Sequence, residues 1–230
     1  MIEKYLVKKI TEPVDWKVTV PGSKSMTNRA LLMAVLSAGT VRVEGVLFSD
    51  DSRHFLACLV ALGFTVEIEE EKKCVTVTGC GGRLPRGEAV IDVGSAGTAA
   101  RFLAAMLGFS DGCYEIRCSA QMKRRPMAEL FDLLSGAGAK ITFLEEEGHL
   151  PVRITGCRYA RADKTAGETP RELSLDITKS TQFLSALLLI APMVPEGMKI
   201  HITSEKTDGS YIRITRKMMQ EFGVSVAFDG

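Results

Sequence analysis

Lys24, Ser25 and Arg29 fall in the stretch Pro21-Gly22-Ser23-Lys24-Ser25-Met26-Thr27-Asn28-Arg29, which runs into apolar residues 30–36. Pro-Gly opens a turn, and the small polar residues after it favour a helix start. Two cations and several hydroxyls then gather at one helix N-terminus. Free backbone N–H groups and the helix dipole already favour an anion there, so the chemistry on offer is capture of a phosphate or carboxylate. An ordinary capped helix with two surface cations fits the same residues equally well.

Two further stretches have the same make-up: Gly94-Ser95-Ala96-Gly97-Thr98, and Ser180-Thr181-Gln182. Gly97 lets a ligand approach the backbone closely, although Gly and Ser also dominate plain turns. A fourth cluster is Gln121-Met122-Lys123-Arg124-Arg125-Pro126-Met127. Three consecutive cations usually form a solvated surface. Arg125, however, precedes a proline and is steered out of helix, which places it in a loop where a guanidinium can grip a carboxylate. His54, His149 and His201 lack ligand spacing, so no metal site is expected,. The acidic runs 69–71 and 145–147 read as hairpin tips, and Asp50-Asp51 as helix caps,. No nucleophile–base constellation is present in the sequence.

The elements that must position these groups repeat along the chain. Each unit starts with small polar residues and an apolar helix, continues through a β-rich segment, and closes with a second helix ending at Gly63, Gly138 or Gly223 before another strand, the third of these beginning at Val224. Glycine suits the left-handed position just past a helix end. Hairpin strands 73–79 and 150–156 complete the first two units. The reading is a mixed α/β (α+β) fold of three repeated βαβαββ units with a period of about 75–85 residues. A lead-in, 1–20, carries a strand at 17–20. One substrate-binding domain, 21–230, holds units at about 21–85, 86–157 and 172–230. The stretches 79–87 and 158–172 read as links. The third unit stops where the others enter their last strand, so the chain is expected to be a piece of a longer polypeptide. The first helices of the units are expected to be buried and nearly parallel. Lys24, Arg29, Ser180 and Gln182 should then surround one concavity, with Arg125 at its edge.

Composition narrows the function. The 230 residues are 46% hydrophobic, enough for one large domain or two small ones, and a formal charge of +1 argues against a general nucleic-acid or membrane surface,. Six cysteines show no close pairing and the N-terminus lacks a signal-peptide core, pointing to reduced thiols and a cytoplasmic protein,. The longest apolar run, 183–194, contains Ser185 and Pro192 and is too short to span a bilayer,.

Taken together, the four motifs, in this order, resemble the 5-enolpyruvylshikimate-3-phosphate synthase family over nearly the whole chain. The resemblance implies two domains of three βαβαββ units each with a cleft between them. This chain would supply one domain plus the lead-in 1–20, which in the family belongs to the other domain, and the missing C-terminal domain would be its partner. It implies transfer of the enolpyruvyl group of phosphoenolpyruvate to the 5-hydroxyl of shikimate 3-phosphate, with no metal or organic cofactor. It places Lys24 at both substrates as the catalytic residue of this half. Ser25, Arg29, Ser180, Thr181 and Gln182 hold shikimate 3-phosphate, and Ser95, Gly97, Arg125 and Gln182 line the phosphoenolpyruvate side. Tyr211 stands near the shikimate ring. Ser95 and Thr181 depart from the common Asn and Ser, and Asp208 stands near a position where the family uses a serine toward the substrate phosphate. The acid–base carboxylates of the family lie in the absent half, so the fragment is expected to lack turnover. Two alternatives are a non-catalytic phosphometabolite-binding domain and the related UDP-N-acetylglucosamine enolpyruvyl transferase, whose loop cysteine would correspond to the region of Cys118.

Overall fold

Ser23 ends the lead-in and starts the first helix, α1 (Lys24–Leu36), its side chain accepting from the Met26 N–H,. The computed structural model describes residues 6–157 and 170–229. After α1 come β1 (Thr40–Glu44), α2 (Asp50–Ala61) and the hairpin β2 (Val66–Glu69) and β3 (Cys74–Thr78). The middle of the chain forms β4 (Glu88–Asp92), α3 (Gly97–Gly108), β5 (Cys113–Arg117), the single-turn α4 (Ala120–Lys123), α5 (Ala128–Gly136), β6 (Lys140–Phe143) and β7 (Val152–Thr155). The last part forms β8 (Arg171–Leu175), α6 (Thr181–Ile190), β9 (Met198–Ile202) and α7 (Ser210–Glu221).

These strands make three separate sheets, ordered β1-β3-β2, β4-β5-β7-β6 and β8-β9. In the second, β4 and β5 are parallel while β7 pairs antiparallel with both β5 and β6. The fold is thus mixed α/β. The middle sheet and its helices show the βαβαββ order in full. Gly63, Gly138 and Gly223 all have positive φ just beyond a helix, as their positions require.

Two expected strands do not form. Residues 17–20 alternate correctly, but Val18 and Val20 are exposed and the segment pairs with nothing among the described residues. Alternation supplies only a face; a strand also needs a neighbouring backbone to bond. The first sheet therefore begins at β1. Residues 224–228 form no strand either, although Val224 and Val226 pack inward. In the other sheets β3 lies between β1 and β2, and β7 between β5 and β6. The matching slot, between β9 and residues 224–228, is an open groove of about 850 Å³ lined by Leu188, Ile200, Met219 and Val226. The link read at 158–172 lies mostly outside the described residues; its last two residues belong to β8.

α3 holds the centre. All twelve of its residues are buried, as a helix of Ala, Leu, Phe and Met with one charge should be. It packs on α1, α2, α5 and α6. Phe102, Leu103, Phe183 and Leu187 are nearly or fully inaccessible to solvent, and each contributes roughly 1.5–3 kcal/mol by leaving water. This packing brings the first turns of α1, α3 and α6 together.

Candidate functional site

α1 presents Lys24 at its first position. The Lys24 ammonium lies 3.2 Å from an Asp51 carboxylate oxygen on α2, and its side chain is half exposed. Ser25 is half-buried. One turn deeper, Asn28 donates to the Thr98 hydroxyl of α3 at 2.7 Å, tying the two helices together. Arg29 is not a surface cation: only 1% of it is exposed. Its Nε donates to Thr215 of α7 at 2.7 Å, one terminal nitrogen to the Ser25 carbonyl at 2.9 Å, and the other to Ser185 of α6 at 3.2 Å. Its guanidinium lies between the rings of Phe102 and Tyr211. Burial pulls its pKa down to about 10, with the Tyr211 hydroxyl opposing. It stays charged at neutral pH, a buried cation with no carboxylate bonded to it among the described residues.

α3 starts at Gly97 with Ala96 as an uncapped N-cap, leaving its first N–H groups without a side-chain acceptor. Ser95, half-buried, precedes it. The guanidinium of Arg125 covers Gly97 so closely that a Cβ there would sit 2.3 Å from an Arg125 nitrogen. Glycine is required for that approach. Arg125 follows α4 in the loop before Pro126, as its position before proline predicts,.

α6 is capped by Ser180, whose hydroxyl accepts from the Gln182 N–H at 3.2 Å. Thr181 is its first residue, and its methyl lies 3.6 Å from where a Cβ of Gly209 would be. The Gln182 side-chain oxygen is buried without a partner among the described residues. Gly209 is the uncapped N-cap of α7, so a fourth helix N-terminus joins the group, with Tyr211 in its first turn and half exposed. Asp208 bonds to Arg213 and to the Gly209 N–H. The Gly209 N–H and Arg213 hold its carboxyl below the usual range, so the group stays an anion.

The sequence-derived residues Lys24, Ser25, Ser95, Gly97, Ser180, Thr181, Gln182 and Tyr211 therefore occupy the first turns of four neighbouring helices or the residues just ahead of them, with Arg125 over one helix start and Arg29 one turn deeper in α1. Arg29 differs from the others in facing inward. Four helix dipoles and the Lys24, Arg29, Arg101 and Arg125 cations act on one region, an arrangement suited to an anionic ligand. The described residues contain no group of His, Cys, Asp and Glu able to hold a metal ion. Thr98 and Arg101 stand in the second sequence motif, whereas the buried Ser185 and Thr215 were given no role from the sequence. Ser185 had a signal, being the one polar residue within the apolar run of α6; Thr215 had none. Cys118 is half-buried just after β5, and burial raises its thiol above the usual range, which suits a packed thiol better than a reactive one.

The Lys24–Asp51 pair can be tested alone. Asp51→Asn is expected to change folding stability by no more than about 1 kcal/mol, since the lysine is half exposed and screened. Urea unfolding checks this; a loss several times larger would show that the pair anchors α1 on α2.

Comparison with known proteins agrees with this geometry. A family model described as EPSP synthase (3-phosphoshikimate 1-carboxyvinyltransferase) matches residues 8–230. The 3-phosphoshikimate 1-carboxyvinyltransferase of Sulfurovum sp. is 42% identical over 214 residues, covering 93% of this chain and 48% of that protein. That of Trichormus variabilis is 37% identical over 217 residues, covering 94% and 49%. The solved EPSP synthase of Acinetobacter baumannii superposes with a TM-score of 0.74 at 26% identity, over 93% of this chain and 45% of that one. The chain spans about half the length of the curated relatives it matches. With a family match from residue 8 to residue 230 and a shared fold, the chain belongs to the EPSP synthase (3-phosphoshikimate 1-carboxyvinyltransferase) family.

Proposed function

We propose that this chain is the shikimate 3-phosphate-binding half of a cytoplasmic enolpyruvyl transferase. The observation that carries the reading is the meeting of four helix N-termini around Lys24, Gln182 and Arg125. In the proposed reaction the 5-hydroxyl of shikimate 3-phosphate gives its proton to a base of the second domain as its oxygen bonds to C2 of phosphoenolpyruvate, while C3 gains a proton. The C2–O bond to phosphate then breaks and C3 returns the proton, leaving the enol ether and free phosphate. Lys24 spans both substrates. Ser25, Ser180, Thr181 and Gln182 hold the shikimate phosphate, and Tyr211 lies against the ring. Arg125, with Ser95 and the uncapped N–H groups at Gly97, receives phosphoenolpyruvate. Arg29 contributes charge from below rather than direct contact. A second domain supplies the proton-transfer groups and the closure that dries the cleft.

Calorimetric titration tests this. The purified chain should bind shikimate 3-phosphate measurably, with affinity falling as salt rises because exposed charge contacts are screened. It should release no phosphate from the two substrates alone, and should release it once the C-terminal half of the enzyme is added. Equal, weak binding of shikimate 3-phosphate and inorganic phosphate would reduce the site to a general anion surface. Phosphate release by the chain alone would place the proton-transfer groups in this half.

A further inference from the structure

Arg101 takes no ligand in the reading above, yet it is buried and charged, with 4% of its surface exposed. One terminal nitrogen donates to the Gly97 carbonyl at 3.0 Å, and the other to the Pro126 carbonyl at 3.1 Å. Its guanidinium lies over the Phe183 ring of α6, 5.6 Å from the centroid. Its Nε meets no acceptor among the described residues. A buried cation with an unmet donor costs stability even with Glu129 near enough to favour its charge,, so its geometry should serve some other end.

Arg29 is the instructive comparison. Both arginines stand in the second turn of a unit's first helix, and each donates back to the carbonyl four residues earlier, Ser25 for Arg29 and Gly97 for Arg101. The other donors of Arg29 join α1 to α6 and α7. The second arm of Arg101 instead reaches a loop, at the residue directly after Arg125. That loop has few bonds of its own: Pro126 has no N–H, and the flanking Arg125 and Met127 amides donate to Met122 and Gly148. One guanidinium thus fixes both surfaces of the Arg125–Gly97 contact, the helix start beneath and the peptide that carries the arginine above.

We propose that Arg101 is a positioning residue for the phosphoenolpyruvate side of the site, holding Arg125 against Gly97 without touching the ligand. The assignment of the ligand rests on the enolpyruvyl-transfer reading; the positioning does not. Lysine keeps the charge but has one nitrogen in place of a planar fork, so it cannot hold two carbonyls in this geometry.

The test uses this chain unmodified and as Arg101→Lys and Arg101→Met. Phenylglyoxal modification of Arg125 is followed by mass spectrometry, with exposed Arg124 as the internal reference. Dissociation constants are measured for shikimate 3-phosphate, and for phosphoenolpyruvate in its presence. Both variants are expected to speed Arg125 modification at least threefold relative to Arg124. Phosphoenolpyruvate binding should weaken about tenfold while shikimate 3-phosphate binding stays within twofold. An unchanged Arg125 rate in a folded variant overturns the proposal, and so does an equal loss of both affinities, which is what a packing role alone would give. Faster Arg125 modification in the variants, with no phosphoenolpyruvate binding even by the unmodified chain, would uphold the positioning and sink the enolpyruvyl-transfer reading. Should both Arg101 variants unfold, Phe183→Leu removes the ring beneath the guanidinium and leaves its hydrogen bonds. It should speed Arg125 modification about twofold, and no change would count against the proposal.

Discussion

Replacing Arg29 with alanine is expected to cost about 3 kcal/mol of folding stability, before any effect on ligand binding. The side chain is among the largest that are fully buried. Its removal leaves a void between Phe102 and Tyr211, and emptying a large buried site typically costs about 3–5 kcal/mol. Three hydrogen bonds from a charged group go with it, and the Ser25 carbonyl loses a donor. Against this stands the relief of no longer burying a cation, which in real proteins is worth several kcal/mol. The loss should win because void and lost bonds act together. In a chain of this size the melting temperature should fall by roughly 6–12 °C. Arg29→Met keeps most of the volume and sheds the charge, so its cost should stay below about 1.5 kcal/mol. Because burial lowers the pKa only to about 10, the penalty of carrying the charge is constant from pH 5 to 9 and eases only above pH 10. A melting temperature for Arg29→Ala within 2 °C of the unmodified chain would show that the guanidinium does not lie in the core.

The helix starts were legible because they are local: small polar residues followed by an apolar run are enough to place α1, α3 and α6 within a few residues. So were the glycines at 63, 138 and 223, where a left-handed residue ends a helix. The inward turn of Arg29 was not legible. A cation near a helix N-terminus normally reads as solvated, and its partners Ser185 and Thr215 lie 156 and 186 residues away. Only the packed arrangement of four helices shows that the guanidinium has acceptors inside. The same holds for Arg101, whose motif position was visible but whose second partner is a carbonyl in a loop. The strand expected at 17–20 failed for the complementary reason: its pattern was right, but no neighbouring backbone among the described residues receives it. Local chemistry thus named the residues of the candidate site, while long-range packing decided which of them lie buried and which stay open to solvent.

The first and second sheets share a joint that gives the other large effect. At the end of β3, Gly79 passes over the last turn of α1, and at the end of β7, Gly156 passes over the last turn of α3. A Cβ at Gly156 would lie 2.2 Å from the Ser110 carbonyl oxygen and 2.8 Å from that of Leu107. At Gly79 it would lie 2.2 Å from the Ser37 carbonyl oxygen and 2.6 Å from that of Ala34. The obstacles are main-chain atoms, held by the helix on one side and by the N–H bonds of Gly79 and Gly156 to the Gly39 and Gly112 carbonyls on the other. Neither can swing aside as a side-chain tip would. Gly156→Ala should therefore cost about 3 kcal/mol, the upper end for an overpacked interior, and Gly79→Ala a similar amount. Neither glycine has positive φ, so backbone strain adds nothing and the effect is purely steric. Gly136, the last residue of α5, supplies the control: a Cβ there meets nothing within 4 Å. Gly136→Ala should leave stability unchanged or raise it by up to about 1 kcal/mol through helix propensity. Thermal unfolding of the three variants side by side reads the difference. Equal shifts at 136 and 156 would mean that the sheet ends do not rest on the helix ends, since only contact with those carbonyls separates the two substitutions.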